Sequence, residues 1–183
     1  MAFLYSHSLF IFNFLLISIT SSNSSRFSEN LIQSMTMTRM EKTTHHHFYF
    51  QDKLSSPHPT AVKIIGDGYS FGTTIMIDDA LTQDPEPDSK IIGRAQGTYA
   101  LAAQDDLALL MVETFSFTEG EYNGSSISML GRNHVMDVVR KMPIVGGSGL
   151  FRLGRGYALA HTVWFDRSTG DASVEYNVIL MHF

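Results

Sequence analysis

The run DASVEYNVILMHF, Asp171–Phe183, is the stretch that decides the fold. Strict alternation sends Ala172, Val174, Tyr176, Val178, Leu180 and His182 to one face. Ser173, Glu175, Asn177, Ile179, Met181 and Phe183 go to the other, which is the period of a β-strand and not of a helix. Both faces turn partly apolar toward the chain end, as in a strand covered on two sides there. Upstream, Arg167-Ser168-Thr169-Gly170 has the composition of a hairpin turn, and before it Leu150–Asp166 is another long apolar run.

The same grammar repeats toward the N-terminus. Ser126–Leu130 follows an Asn123-Gly124 turn, and Ile91–Ala103 and Leu107–Phe117 flank Gln104-Asp105-Asp106, expected as a tight hairpin connection. DPEPD at Asp84–Asp88 breaks the chain after Thr73–Asp79. Ala61–Ile65 and His45–Asp52 are separated by KLSSPHPT, whose prolines stop a strand. This makes about eight strands, plus one long irregular crossing at Gly131–Gly149 in which only His134–Lys141 has helical spacing. Short connections and many strands point to an all-β chain folded as an eight-stranded antiparallel β-barrel, which leaves no open edges, rather than a sandwich. Such a barrel has room for one small ligand in its mouth.

Composition narrows the function classes. The chain has 183 residues, a net charge of −5 and 44% hydrophobic residues. That suits one domain and argues against nucleic acid or an anionic membrane as partner, since both require a concentrated basic face. The absence of cysteine excludes disulfides, thiolate metal sites and a thiol nucleophile. Met1 to Ser25 carries no charge, is mostly large and apolar from Phe3 to Ile19 and ends in the small polar run TSSNSS, so residues 1–25 read as a secretory signal peptide. A membrane anchor is the competing reading, but a segment interrupted by Ser6, His7, Ser8 and Asn13 is short for ~30 Å of hydrocarbon. Residues 26–44 read as a flexible entry segment and 45–183 as the barrel. Sequons at Asn23 and Asn123 fit a secreted glycoprotein, with Asn23 close to the cleavage point.

Five strings carry a resemblance. FYFQD (Phe48–Asp52), IIGRAQGTYALAAQ (Ile91–Gln104), NGSSISMLGRN (Asn123–Asn133), MPIVGGSGLFRLGRGYA (Met142–Ala158) and VEYNV (Val174–Val178) resemble plant dirigent proteins over His45–Phe183. The resemblance implies an eight-stranded barrel without a cofactor, secreted to the plant cell wall and often trimeric, a dimer being the alternative. It implies steering of phenoxy-radical coupling, of the coniferyl alcohol type, beside a separate oxidase such as a laccase. Residue by residue, the family's strand-one His-Asp pair is Gln51-Asp52 here, the Tyr of its GRAQG segment is Tyr99, and a second Tyr found in lignan-forming members is Leu101. Its second acid is Asn133, within Gly131-Arg132-Asn133-His134, and its Arg is Arg140. These departures resemble the branch that includes pterocarpan synthases.

Asp52 is then the candidate general acid, because an amide at Asn133 accepts or donates hydrogen bonds but gives up no proton. Arg140 is the candidate catalytic partner that holds a phenolate or quinone methide oxygen, with Tyr99, Gln51 and Asn133 as substrate-binding candidates. Three readings stay open: radical-coupling steering, a dehydratase or cyclase working through a quinone methide, and a passive phenolic carrier. Gly146, Gly147 and Gly149 read as backbone devices permitting positive φ, not as a phosphate loop. His45-His46-His47 gives no metal site, since alternation puts only His45 and His47 on one face.

Overall fold

A computed structural model describes residues 40–183. The expected leader and the Asn23 sequon lie outside the described residues. Nine strands follow one another: β1 (Lys42–Asp52), β2 (Ala61–Ile65), β3 (Thr74–Thr82), β4 (Ile91–Leu101), β5 (Ala108–Phe117), β6 (Ser126–His134), β7 (Arg140–Ser148), β8 (Arg155–Phe165) and β9 (Ala172–His182). Every pairing is antiparallel, in the order β1-β9-β8-β7-β6-β5-β4-β3, and β1 pairs again with β3 to close the ring. The barrel therefore has eight positions although nine strands exist. The C-terminal end of β3 pairs with β1 (Leu81 opposite Phe50), while its N-terminal half pairs with β2 (Ile77 opposite Ala61). β1 and β2 thus share one edge, and the proline-containing loop between them marks where the chain changes over.

Alternation fills the inside. Phe48, Phe115, Phe151, Tyr176, Val178 and Leu180 are almost fully buried, and Phe48 and Phe115 both pack on the Tyr176 ring. In β9 it is the Tyr176, Val178, Leu180 and His182 face that points inward. Close approaches between strands require glycine, and Gly97 is one example. Gly97 of β4 lies against β5 with φ of 150°, where a Cβ would come within 2.1 Å of the Val112 carbonyl oxygen.

Several expectations need correction. His134–Lys141 is not a helix: β6 runs through His134, a turn follows, and Arg140 opens β7. Met136, Val138 and Val139 are exposed, so a helix here would have had no apolar surface to pack on. Gly131–Gly149 is accordingly not an irregular crossing but a β6–β7 hairpin. Of the three glycines read as turn devices, only Gly149 has positive φ (61°). The Gln104-Asp105-Asp106 connection spans residues 102–107 rather than a tight turn. β1 starts at Lys42, so the last residues of the expected entry segment pair with the end of β9.

Candidate functional site

One end of the barrel holds a cavity of about 240 Å³. Its wall is mostly apolar, with Phe50, Leu101, Leu109, Met111, Phe165 and Val174 contributing, and a few polar groups converge into it. Four of the residues singled out from sequence meet here: Asp52 from the end of β1, Tyr99 from β4, Asn133 from β6 and Arg140 from the start of β7. Gln51 does not join them. Alternation turns it away from the cavity, and its amide donates to Thr82 Oγ1 at 2.9 Å and to the Pro85 carbonyl at 3.1 Å. Asn123 stands exposed in the turn between β5 and β6, far along the chain ladder from this end. The hydroxyl of Ser125, in the same sequon, is buried and accepts the Leu150 N–H.

Among the described residues Asp52 is the one carboxyl group lining the cavity. Tyr99 donates its phenolic proton to Asp52 Oδ2 at 2.8 Å, while Oδ1 has no partner among the described residues. Burial pushes the Asp52 carboxyl up to about 7, with the Tyr99 hydrogen bond pulling down and the Asp171 charge pushing up. Tyr99 itself is raised, first by burial and then by Asp52, so it stays a neutral donor. The acid is therefore protonated at mildly acidic pH and able to give its proton away near neutrality.

Arg140 is buried, and its Nε donates to Asn133 Oδ1 at 3.1 Å. Asn133 in turn donates to Met111 Sδ at 3.6 Å. No carboxylate of the described residues makes an ion pair with Arg140. Burial lowers its proton affinity, but a guanidinium remains charged at any working pH. Among the described residues the guanidinium meets only an amide directly, with the Asp137 charge acting on it from a distance, which favours a ligand oxygen that is or becomes anionic.

Sequence reasoning missed two further acids. Asp79 of β3 and Glu113 of β5 are buried inside the barrel behind the cavity. Asp79 accepts from Thr60 Oγ1, and burial with the charge of Asp52 raises it to about 8. Glu113 has no partner for either oxygen among the described residues and is raised well above the ordinary range by burial, then by Asp79 and Asp52. Their signal was present: each sits on an otherwise apolar face, Ile75-Ile77-Asp79-Leu81 and Met111-Glu113-Phe115. At the rim, His134 is held between Asp137 (Nδ1 to Oδ1, 2.7 Å) and Asp106 (Nε2 to Oδ1, 2.9 Å). This joins the β4–β5 loop to the β6–β7 turn, whose Leu107, Val135 and Met136 line the cavity. The histidine triplet divides as alternation requires: His45 meets Asn177 and His47 meets Glu175 outside, while His46 is buried among aromatic rings.

The chain thus falls in the class of closed antiparallel barrels with a pocket at one end, lined here by one buried acid and one guanidinium. Within that class the chain belongs to the dirigent-like family, whose sequence profile matches residues 43–181. It is 48% identical over 151 residues to dirigent protein 23 of Arabidopsis thaliana, covering 79% of this chain and 81% of that one. It is 47% identical over 152 residues to pterocarpan synthase 1 of Glycine max, covering 79% and 82%. A solved pterocarpan synthase dirigent protein superimposes with a TM-score of 0.76 at 46% identity, over 78% of this chain and 86% of that chain.

Proposed function

We propose that this chain imposes stereochemistry on a phenolic small molecule by acid-assisted ring closure through a quinone methide. The observation that carries the reading is the single protonated acid, Asp52, facing a pocket whose only cation, among the described residues, is Arg140 without a carboxylate partner. The substrate binds as a phenolate held by Arg140. Asp52 protonates a benzylic hydroxyl, which leaves as water while the phenolate electrons form the quinone methide. A second hydroxyl of the same molecule then attacks the quinone methide carbon and returns its proton to the Asp52 carboxylate, restoring the phenolate. One water is lost and no oxidant is consumed. The similarity to two pterocarpan synthases supports an isoflavanol-like substrate.

The second reading is steering of phenoxy-radical coupling of monolignol type, with radicals from a separate oxidase such as a laccase. It is favoured by the apolar wall of the pocket, which suits two stacked phenols as well as one fused molecule. The test has two arms, both read by chiral chromatography. An isoflavanol without oxidant is expected to yield one enantiomer of a cyclised product. Coniferyl alcohol with a one-electron oxidant is expected to stay racemic. Enantiomeric excess in the second arm alone overturns the ring-closure reading, and no change in either arm leaves a carrier.

Secretion to the plant cell wall with a glycan on exposed Asn123 belongs to the same proposal, as does assembly into homo-oligomers, a trimer being favoured. Support for assembly comes from the outer wall, where Val62, Met76, Val112 and Leu130 are exposed in successive register across β2, β3, β5 and β6, with Thr98 of β4 between them. Sedimentation as a monomer at micromolar concentration would remove the oligomer.

A further inference from the structure

Tyr176 lies in an unusual place for a core aromatic. Its ring is packed: it stacks on Phe48 with centroids 5.8 Å apart and meets Phe50 and Phe115 edge-on, leaving the residue 1% exposed. A tyrosine buried this deeply normally gives its hydroxyl a partner, because the O–H is costly to strand. Among the described residues no hydrogen bond of the Tyr176 hydroxyl is formed, and the residue lines the cavity.

Strand register shows what it faces. Arg140 of β7 is opposite Ala160 of β8, and Ala160 is opposite Tyr176 of β9, so the three form one row across the barrel wall. All three point inward and are buried. The outer two stand roughly 10 Å apart at the backbone, two strand spacings. The methyl of Ala160 between them leaves both long side chains free to lean toward one another over it. Each acts electrostatically on the other. The terminal nitrogens of Arg140 have no acceptor among the described residues, since the guanidinium's one hydrogen bond runs from Nε to Asn133. Two strong donors with unspent protons therefore share one side of the pocket.

The acid lies elsewhere. Asp52 is opposite Ala172, which precedes Tyr176 by four residues on the same face of β9, roughly 13 Å along the strand. The two poles thus address opposite ends of a single small ligand.

We propose that Tyr176 is a second substrate-touching donor, forming with Arg140 an oxyanion subsite that takes the phenolic oxygen of the ligand as phenolate or quinone methide carbonyl. This deepens the ring-closure reading and rests on it for the identity of the ligand oxygen. The physical property, preference for a phenolate over its phenol, stands independently of any reaction. Tyr176 remains protonated through the working range because burial outweighs the opposing pull of the Arg140 cation, and Glu113 and Asp52, once ionised at higher pH, hold the proton on further.

The test uses 4-nitrophenol, whose phenolate absorbs in the visible, bound to the full mature chain. Bound dye is expected to ionise at lower pH than free dye. Tyr176→Phe keeps the ring packing and is expected to move that midpoint back toward free dye by about 0.5–1 unit, a three- to tenfold loss of phenolate preference. 3-Fluorotyrosine incorporated at position 176 preserves packing and strengthens the donor, so it is expected to move the midpoint further down. It decides the matter if Tyr176→Phe does not fold. An unshifted midpoint in wild type, no uptake of the dye, or an unchanged midpoint in both substituted proteins overturns the subsite. The dye undergoes no ring closure, so loss of product in the isoflavanol assay with a shifted dye midpoint would overturn the reaction and leave the subsite standing.

Discussion

Asp52 keeps its proton because it is buried, and it is buried because it is the last inward residue of β1, where the barrel wall still surrounds it. The Tyr99 hydrogen bond stabilises the charged form, so the carboxyl comes to rest near 7 instead of higher. In the proposed ring closure the active form is the acid, and activity is expected to decline as pH rises through about 7. Asp52→Asn keeps the shape and removes the proton. Turnover is expected to fall by about 10²–10⁴-fold, the usual worth of a positioned general acid, with thermal stability kept or raised because no carboxyl need be buried. A variant with full turnover and the same pH profile would assign the proton transfer to another group. The family resemblance implies that Asn133 stands where lignan-forming members carry a second acid. What was not legible is that its amide oxygen occupies Arg140 Nε and leaves the terminal nitrogens of that guanidinium without a hydrogen-bond partner among the described residues.

At the level of elements, sequence alternation located eight of the strands, and failed where local composition masked the ninth. β7 contains Pro143, Gly146 and Gly147, residues that argue against a strand taken singly. Pro143 nevertheless sits in β7 opposite Tyr157 of β8, beside the point where the β6–β7 ladder shifts register between Ser128 and Met129. The helical spacing of His134–Lys141 was a coincidence of exposed valines. The turn there is fixed by ion pairing: His134 bridges Asp137 of its own turn and Asp106 of the neighbouring loop, with Arg132 also on Asp106. These hydrogen bonds raise the His134 affinity for its proton and lower that of Asp106. The bridge is complete at acidic pH and is lost as pH rises through the raised histidine value. His134→Ala is expected to raise amide exchange at Leu107 and Val135 at pH 6 and to weaken substrate binding by several-fold, while wild type approaches the same exchange at pH 8. Equal protection of the two proteins at pH 6 would show that the rim is held by packing alone.

For the whole molecule, the three interior acids set how stability follows pH. Asp52 at about 7, Asp79 at about 8 and Glu113 well above its ordinary value each bind a proton in the folded barrel that the unfolded chain releases near pH 4. The folded state therefore holds more protons from about pH 4 upward, and the unfolding free energy falls as pH rises through that window. His46 opposes them. Burial lowers it to about 4, so the folded state holds fewer protons between about 4 and 6.5, and this contribution rises with pH. Three groups outweigh one, and above 6.5 the histidine no longer contributes. Below about 4 the lowered carboxyls Asp78, Asp106, Asp166 and Asp171 lose their partners' benefit and stability declines again. The melting temperature is thus expected to peak in mild acid, consistent with the proposed cell-wall location, and to be lower by several degrees at pH 8. Glu113→Gln replaces an acid that meets no partner by a neutral side chain of the same length, and is expected to flatten the decline between pH 5 and 8. Calorimetry on both proteins decides it: a wild-type melting temperature that is level or rising across that interval means the interior acids are ionised in the folded barrel, and the protonated Asp52 on which the ring closure depends goes with them.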